Sequence, residues 1–196
     1  ITEHLGEKIN LDLEFVDEAG MVKPLRTYFQ SGRPVVLNLV YYTCPMLCKR
    51  VLAGQVATMR AVDFTPGKEY EVVTVSIDPT ETFEMAREKR TAWLASFGRP
   101  APGWHFLVDY RGNSRRLAEQ VGFGYKFDER SRQYAHTATV MVLTPQGKVL
   151  ADMLIWADGD GVVLDLDPSR ADDIERRLTM YKLRANVSLC LLYTSD

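Results

Sequence analysis

Only three cysteines and three histidines occur among the 196 residues. Three cysteines are too few for a disulfide-stapled scaffold, and two of them stand close together, which points to metal or redox chemistry rather than cross-linking. An excess of one charge is also missing. The 24 Lys and Arg residues stand against 26 Asp and Glu, a net charge of -2, so the chain carries no electrostatic footprint for nucleic acid. No apolar run approaches the roughly 20 residues needed to span a bilayer, and there is no internal repeat or low-complexity segment. Ile1 rather than Met opens the chain, which leaves an upstream signal or anchor undecided. With 46% hydrophobic residues, the length suits one well-packed domain and is short for two.

The pattern along the chain is that of an α/β protein. Ile9 to Val16 alternates apolar and polar residues before the turn signal Asp17-Glu18-Ala19-Gly20, so an N-terminal hairpin is expected. Val35 to Tyr41 is nearly continuous in apolar residues, as in a central strand covered on both faces. From Cys48, Val51, Leu52, Val56 and Met59 recur at helical spacing. Glu71 to Ile77 and Trp104 to Val108 read as further strands, separated by a helix carrying Phe83, Ala86, Trp93, Leu94 and Phe97 on one face. Ser114 to Val121 reads as a short helix and Gly122 to Arg132 as a turn or small hairpin. Ala138 to Leu143 and Val149 to Leu154 then form an antiparallel pair around Pro145-Gln146-Gly147. A closing helix is expected from Ser169 to Ala185, its acidic Asp172-Asp173 placed where the helix dipole favours anions. The order ββαβαβαββα implies a mixed sheet with helices on both sides. It fits a single domain over residues 1–186 and a C-terminal tail over 187–196.

Cys44 and Cys48, in Tyr42-Thr43-Cys44-Pro45-Met46-Leu47-Cys48, sit where the central strand runs out and a helix begins. A thiolate at a helix N-terminus is stabilised by the dipole and by free backbone N–H groups, so Cys44 is expected to have a depressed pKa. Pro45 suits the first helical position, whose N–H has no partner in any case. Residues four apart on a helix hold their Cβ atoms about 5–6 Å apart, whereas a disulfide wants roughly 3.5–4.5 Å. A metal bridging two sulfurs tolerates the wider gap, but an N-cap Cys44 can swing inward, so a disulfide stays open. Two ordinary buried cysteines are the plainer alternative, weakened by the coincidence of spacing and helix start. Two thiolates suit Cu(I) or zinc, yet a structural zinc site needs four ligands and only one further cysteine exists. Two sulfurs and one histidine make a low-coordination set better suited to copper.

Of the histidines, His4 lies in a polar stretch and reads as solvated, and His105 lies in a strand beside Trp104, where packing is the default. His136 precedes the strand Ala138 to Leu143. Alone it reads as a structural histidine; in a thioredoxin-like arrangement its loop faces the helix end that bears the thiols, and it becomes the third ligand.

Three segments together resemble the SCO/SenC family: the strand ending in Tyr-Tyr-Thr-Cys-Pro-Met-Leu-Cys, Val75-Ser76-Ile77-Asp78-Pro79-Thr80, and His136-Thr137 before a strand closed by Thr144-Pro145-Gln146-Gly147. The resemblance runs from about residue 5 to 185. It implies a thioredoxin-like fold and a copper site on Cys44, Cys48 and His136. It also implies a membrane-tethered domain facing the periplasm or the mitochondrial intermembrane space. The implied role is assembly of the binuclear copper centre of cytochrome c oxidase, with the copper-accepting subunit, other copper carriers and thiol reductants as partners. Asp78 matches a characteristic acidic position of the family, either near the metal or as a cap of the following helix. Departures accompany the match. Pro-Met-Leu stands between the cysteines where Pro-Asp-Val is frequent, and Lys49 follows where proline is usual, placing a cation near the thiols. Ala135 stands before the histidine in place of an aspartate, which weakens orientation of the imidazole. Cys190 lies in the tail, where packing or disorder is favoured over ligation, and the tail reads as disordered or as a truncated extension.

Two functions remain in view. One is a copper metallochaperone. The other is a thiol-disulfide oxidoreductase, in which Cys44 attacks and Cys48 resolves the mixed disulfide, preparing acceptor cysteines for metallation. A peroxiredoxin-type peroxidase needs Thr three residues before its reactive Cys, whereas Thr43 is immediately adjacent to Cys44.

Overall fold

The structure, a computed structural model, describes residues 4–45, 47–137, 139–158 and 161–165, together with 171, 172, 175 and 176. A hairpin of β1 (Glu14–Asp17) and β2 (Val22–Pro24) opens the fold. It starts later than the alternation from Ile9 suggests, because Asn10 Oδ1 accepts the Asp12 N–H at 2.9 Å and turns the chain. Asp17 Oδ1 then closes the hairpin by accepting the N–H groups of Ala19 and Met21, each at 2.9 Å.

The apolar run becomes β3 (Val35–Val40), buried except at Val36. It lies parallel to β4 (Glu71–Ser76), in register from Val35 opposite Glu71 to Val40 opposite Ser76, and β4 lies parallel to β5 (Trp104–Val108). The connecting helices are α1 (Leu47–Ala61) and α2 (Phe83–Phe97). Both crossovers step the same way across the sheet, so right-handed connections put both helices on one face, and there they pack on each other. Gly98 ends α2 in the left-handed region at φ 75°, its N–H bonded to the Leu94 carbonyl.

α3 (Asn113–Gln120) and a separate two-stranded sheet, β6 (Tyr125–Asp128) and β7 (Gln133–His136), carry the chain back to β8 (Val140–Leu143), antiparallel to β3. β9 (Val149–Asp158) and β10 (Gly161–Asp165) complete an eight-stranded mixed sheet of order β10-β9-β8-β3-β4-β5-β1-β2. This is a thioredoxin-like fold, with a central mixed sheet flanked by helices. The last hairpin runs further than the pattern ending at Leu154 implies: Asp158 pairs with Gly161 and Leu154 with Asp165. Most of the closing helix expected over Ser169 to Ala185, the domain end at residue 186 and the tail with Cys190 lie outside the described residues. Among the described residues, no helix is long and apolar enough to cross a membrane.

The sheet centre is fully buried around Phe15, Leu37, Trp104 and Phe106. Polar groups enter it around Thr74, while Asn38 Oδ1 stays buried without a partner. Thr74 Oγ1 accepts from the Trp104 indole N–H at 3.0 Å and from Asn38 Nδ2 at 3.3 Å. Thr74→Val keeps the shape but leaves two buried donors unpaired, and is expected to lower stability by about 1–3 kcal/mol. Urea unfolding checks this, with the midpoint falling and the slope unchanged; a change within measurement error would show that water or another acceptor takes over.

Candidate metal centre

The site grows from the point where β3 stops inside the protein. The four N–H groups that follow have no strand partner and are met in turn. Tyr41 N–H donates to Cys48 Sγ at 3.5 Å, Tyr42 and Thr43 N–H each donate to the Glu81 carboxylate at 2.7 Å, and Cys44 N–H donates to the Tyr41 carbonyl at 3.2 Å. The chain then enters α1 at Leu47, two residues later than a helical Pro45 requires, so Cys44 stands outside the helix and Cys48 in its first turn. Cys44 Sγ accepts the Cys48 N–H at 3.3 Å. One of the unpaired N–H groups of the helix start thus falls to the sulfur.

His136 comes to the thiols from the opposite direction. It is the last residue of β7, paired with Tyr125, and not part of a loop. Phe123 stacks on its ring at 5.8 Å between centroids and Tyr41 meets it edge-on, also at 5.8 Å. Its Nδ1 lies 2.7 Å from the Thr137 carbonyl, which only accepts, so Nδ1 carries the proton and donates. In the neutral ring Nε2 is therefore a bare lone pair, and it lies 3.2 Å from Cys48 Sγ. The aspartate missing at Ala135 is replaced as an orienting group by this backbone carbonyl, a device that no residue type in the sequence could reveal.

The Sγ atoms of Cys44 and Cys48 and a ring nitrogen of His136 lie within 4.8 Å of one another, the one such donor group among the described residues. Both cysteines are reduced and buried, and His136 is half-buried. Burial pushes the Cys48 thiol far above its ordinary value, the Tyr41 N–H opposes this, and the Cys44 sulfur adds to it. Lys49 is exposed to solvent, and the charges that act on the Cys48 thiol are those of Cys44 and Glu81, both raising it. Burial also lowers the His136 pKa below its ordinary value of 6.5, against the opposing bond to Thr137. The metal-free centre is thus a neutral thiol bonded to a neutral imidazole. Its donors fit a soft, low-coordination cation: two sulfurs and one imidazole, with no carboxylate in the group.

The remaining residues singled out from the sequence fall elsewhere. Asp78 Oδ1 accepts the Thr80 N–H at 2.9 Å and the Thr80 hydroxyl at 2.7 Å, building the turn after β4, and it is not among the three donors. His4 bonds to Glu7 at 2.9 Å, and His105 packs on Tyr28 with ring centroids 4.7 Å apart. The acidic residue that does reach the thiol loop is Glu81, which the sequence reading passed over. A glutamate two residues before an amphipathic helix reads as an ordinary N-terminal acid, and only the fold turns it inward.

Fold and site together define a class: a thioredoxin-like domain carrying a Cys-x-x-x-Cys pair closed by a distant histidine. The chain belongs to the SCO1/SenC family, whose model matches residues 2–158. No curated protein matches it. Among solved structures, an Aquifex aeolicus protein described as a candidate electron transfer protein superposes with a TM-score of 0.63 at 20% identity, covering 87% of this chain and 90% of that one. Arabidopsis thaliana ScoI, solved with copper bound, gives 0.59 at 15% identity, covering 86% and 97%. BsSco, described as a member of the Sco family of cytochrome c oxidase assembly proteins and as having a disulfide switch, gives 0.55 at 16%, covering 92% and 96%.

The lowered His136 pKa has a definite sign. Below the ordinary value of 6.5 the unfolded chain binds a proton that the folded one refuses, so unfolding is favoured as pH falls through 6.5 toward the lowered folded value. The urea midpoint of the metal-free protein should drop between about pH 7.5 and about pH 5.5, and His136→Asn should flatten that dependence. An unchanged slope in the variant would show that His136 is not the group responsible.

Proposed function

We propose that this protein binds one copper(I) ion through Cys44, Cys48 and His136, and that it passes the ion to an acceptor by exchange of ligands. The observation that carries this reading is the convergence of two buried sulfurs and the proton-free Nε2 of a preoriented imidazole. Copper(I) is soft and accepts two or three ligands, whereas a structural zinc site asks for a fourth. Two thiols must lose their protons to become ligands, so uptake releases protons and tightens with rising pH. The Thr137 carbonyl fixes the tautomer and so keeps Nε2 without a proton of its own, its lone pair available as a donor. A three-coordinate site with one ligand on a separate hairpin also has a route to release: movement of β6–β7 withdraws the imidazole and leaves two sulfurs to hand over.

Membership of the SCO1/SenC family and the fold shared with copper-bound ScoI support copper as the cargo. On the same grounds we assign the acceptor as the copper-binding subunit of cytochrome c oxidase and the location as the periplasmic face of the membrane, or the intermembrane space in a mitochondrion. A second reading keeps one observation of its own. Cys44 lies outside α1, flanked by exposed Thr43 and Pro45, and is placed to attack a disulfide while Cys48 resolves it. The two readings share residues but not His136, which only the copper site needs.

Titration of the reduced protein with copper(I) against a chromophoric chelator tests this. About one equivalent is expected for the wild type. Cys44→Ser and Cys48→Ser should abolish tight binding. His136→Ala should weaken it at least about 10–100-fold, the loss that even an outer-shell partner of a ligand produces. Full wild-type affinity in His136→Ala would refute the three-ligand site and leave the thiol-disulfide reading in possession.

A further inference from the structure

Glu81 is buried, 6% exposed, between β4 and α2. Its carboxylate meets four donors. Oε2 accepts the Tyr42 N–H at 2.7 Å and the Ser76 hydroxyl at 2.6 Å; Oε1 accepts the Thr43 N–H at 2.7 Å and the Thr43 hydroxyl at 2.9 Å. Two carboxylate oxygens offer about four lone-pair sites, and all four are used. The O–H···O distance to Ser76 is that of a charge-assisted bond. Two of the donors are consecutive peptide N–H groups, and the residue after them is Cys44.

This anchorage is built from three directions. The Asp78–Thr80 turn sets the approach of Glu81, whose own N–H returns to the Asp78 carbonyl at 3.3 Å. Ser76, at the end of β4, gives its hydroxyl to Glu81, while its carbonyl accepts the Ser114 hydroxyl of α3 at 2.6 Å. Tyr42 is pinned at its other end by a 2.6 Å bond from its hydroxyl to the Leu107 carbonyl in β5. The thiol loop is thereby tied to the end of β4 and the turn after it through one carboxylate, and to β5 through one phenol.

We propose that Glu81 is a positioning residue for the thiol pair: by clamping the Tyr42 and Thr43 peptides it holds Cys44 Sγ over the Cys48 N–H, in the geometry that the copper(I) site requires. Released from the clamp, the loop would keep its covalent position but lose the direction of the Cys44 side chain, and the second sulfur would have to be ordered at the moment of binding. Glutamine cannot replace the acid. One of its two terminal atoms is a donor, so it would meet a peptide N–H with an N–H. Aspartate keeps the acceptor chemistry on a shorter stem.

The inference rests on the copper reading for its affinity arm, and its test has a metal-free arm as well. Copper(I) affinity and the rate of thiol modification of the metal-free reduced protein are measured for the wild type, Glu81→Gln, Glu81→Asp and Ser76→Ala. Thr74→Val serves as a destabilised control that removes no donor of Glu81 and leaves the Thr74 carbonyl that the Tyr42 hydroxyl also reaches at 3.3 Å. Glu81→Gln should lose about 10–100-fold in affinity, the range for loss of a group that orients a ligand, and its thiols should react several-fold faster, by about 3-fold or more on the same reasoning. Glu81→Asp should recover most of both. Ser76→Ala, which removes one of the four donors, should move both in the same direction by less, and it decides the matter with Glu81→Asp if Glu81→Gln fails to fold. Wild-type values in Glu81→Gln and Ser76→Ala, or equal losses in Thr74→Val, would overturn the proposal. A wild type that binds no copper(I) would instead refute the copper reading, and the thiol-reaction rates would still judge Glu81.

Discussion

A central strand that ends inside the protein leaves peptide N–H groups without a strand partner, and the whole site follows from how these are satisfied. Beyond Val40 the next four donors find a sulfur, two oxygens of one carboxylate, and a carbonyl. A buried unpaired donor costs about 1–3 kcal/mol, so this set leaves the chain little freedom between β3 and α1. The cysteines are part of the solution as well as its product. Cys48 Sγ accepts one orphan N–H from the strand end, and Cys44 Sγ accepts one from the helix start. Sulfur is a weak acceptor, which keeps these contacts compatible with replacement when a sulfur turns toward a metal.

The electrostatics of the centre follow from burial. Taken out of water, the Cys48 thiol and the His136 ring both favour their uncharged forms. A soft cation held by the two sulfurs would replace their protons with its own charge and so stabilise thiolates that burial alone resists. The same burial raises the Tyr41 phenol, leaving neutral aromatic rings, Tyr41 and Phe123, against the imidazole, with Tyr134 edge-on to Tyr41. Such rings exclude water from a soft metal and offer it no competing oxygen anion.

Topology explains why residues 88 positions apart meet. β8 lies directly beside β3, so the hairpin that feeds β8 must pass over the end of β3, where the thiols stand. β4 lies on the other side of β3 in parallel register, with Ser76 opposite Val40, so the turn after β4 also arrives at that end. The thiols are bracketed by their two sheet neighbours, one bringing His136 and the other Glu81. Ligands at the carboxyl ends of adjacent parallel strands are a general property of open α/β sheets.

Much of this was present in the residue order. The nearly continuous apolar run Val35 to Tyr41 reads as a covered strand, the helical stripe from Cys48 faces inward, and the pair of cysteines at that junction and the histidine before a late strand are the three residues that the fold brings together. Local pattern suffices for these because apolar periodicity and turn chemistry act over a few residues. What local pattern could not decide was direction. Glu81, Asp78 and Lys49 are three charged residues near the thiols in sequence or motif, and nothing in their neighbours says that the first turns inward, the second closes a turn and the third faces solvent. Nor could it show that the Thr137 carbonyl orients His136, since a backbone acceptor has no signature in the sequence. Those outcomes were decided by tertiary structure, because a buried donor takes whichever acceptor the packed sheet brings within about 3 Å, and that depends on strands far apart in the chain.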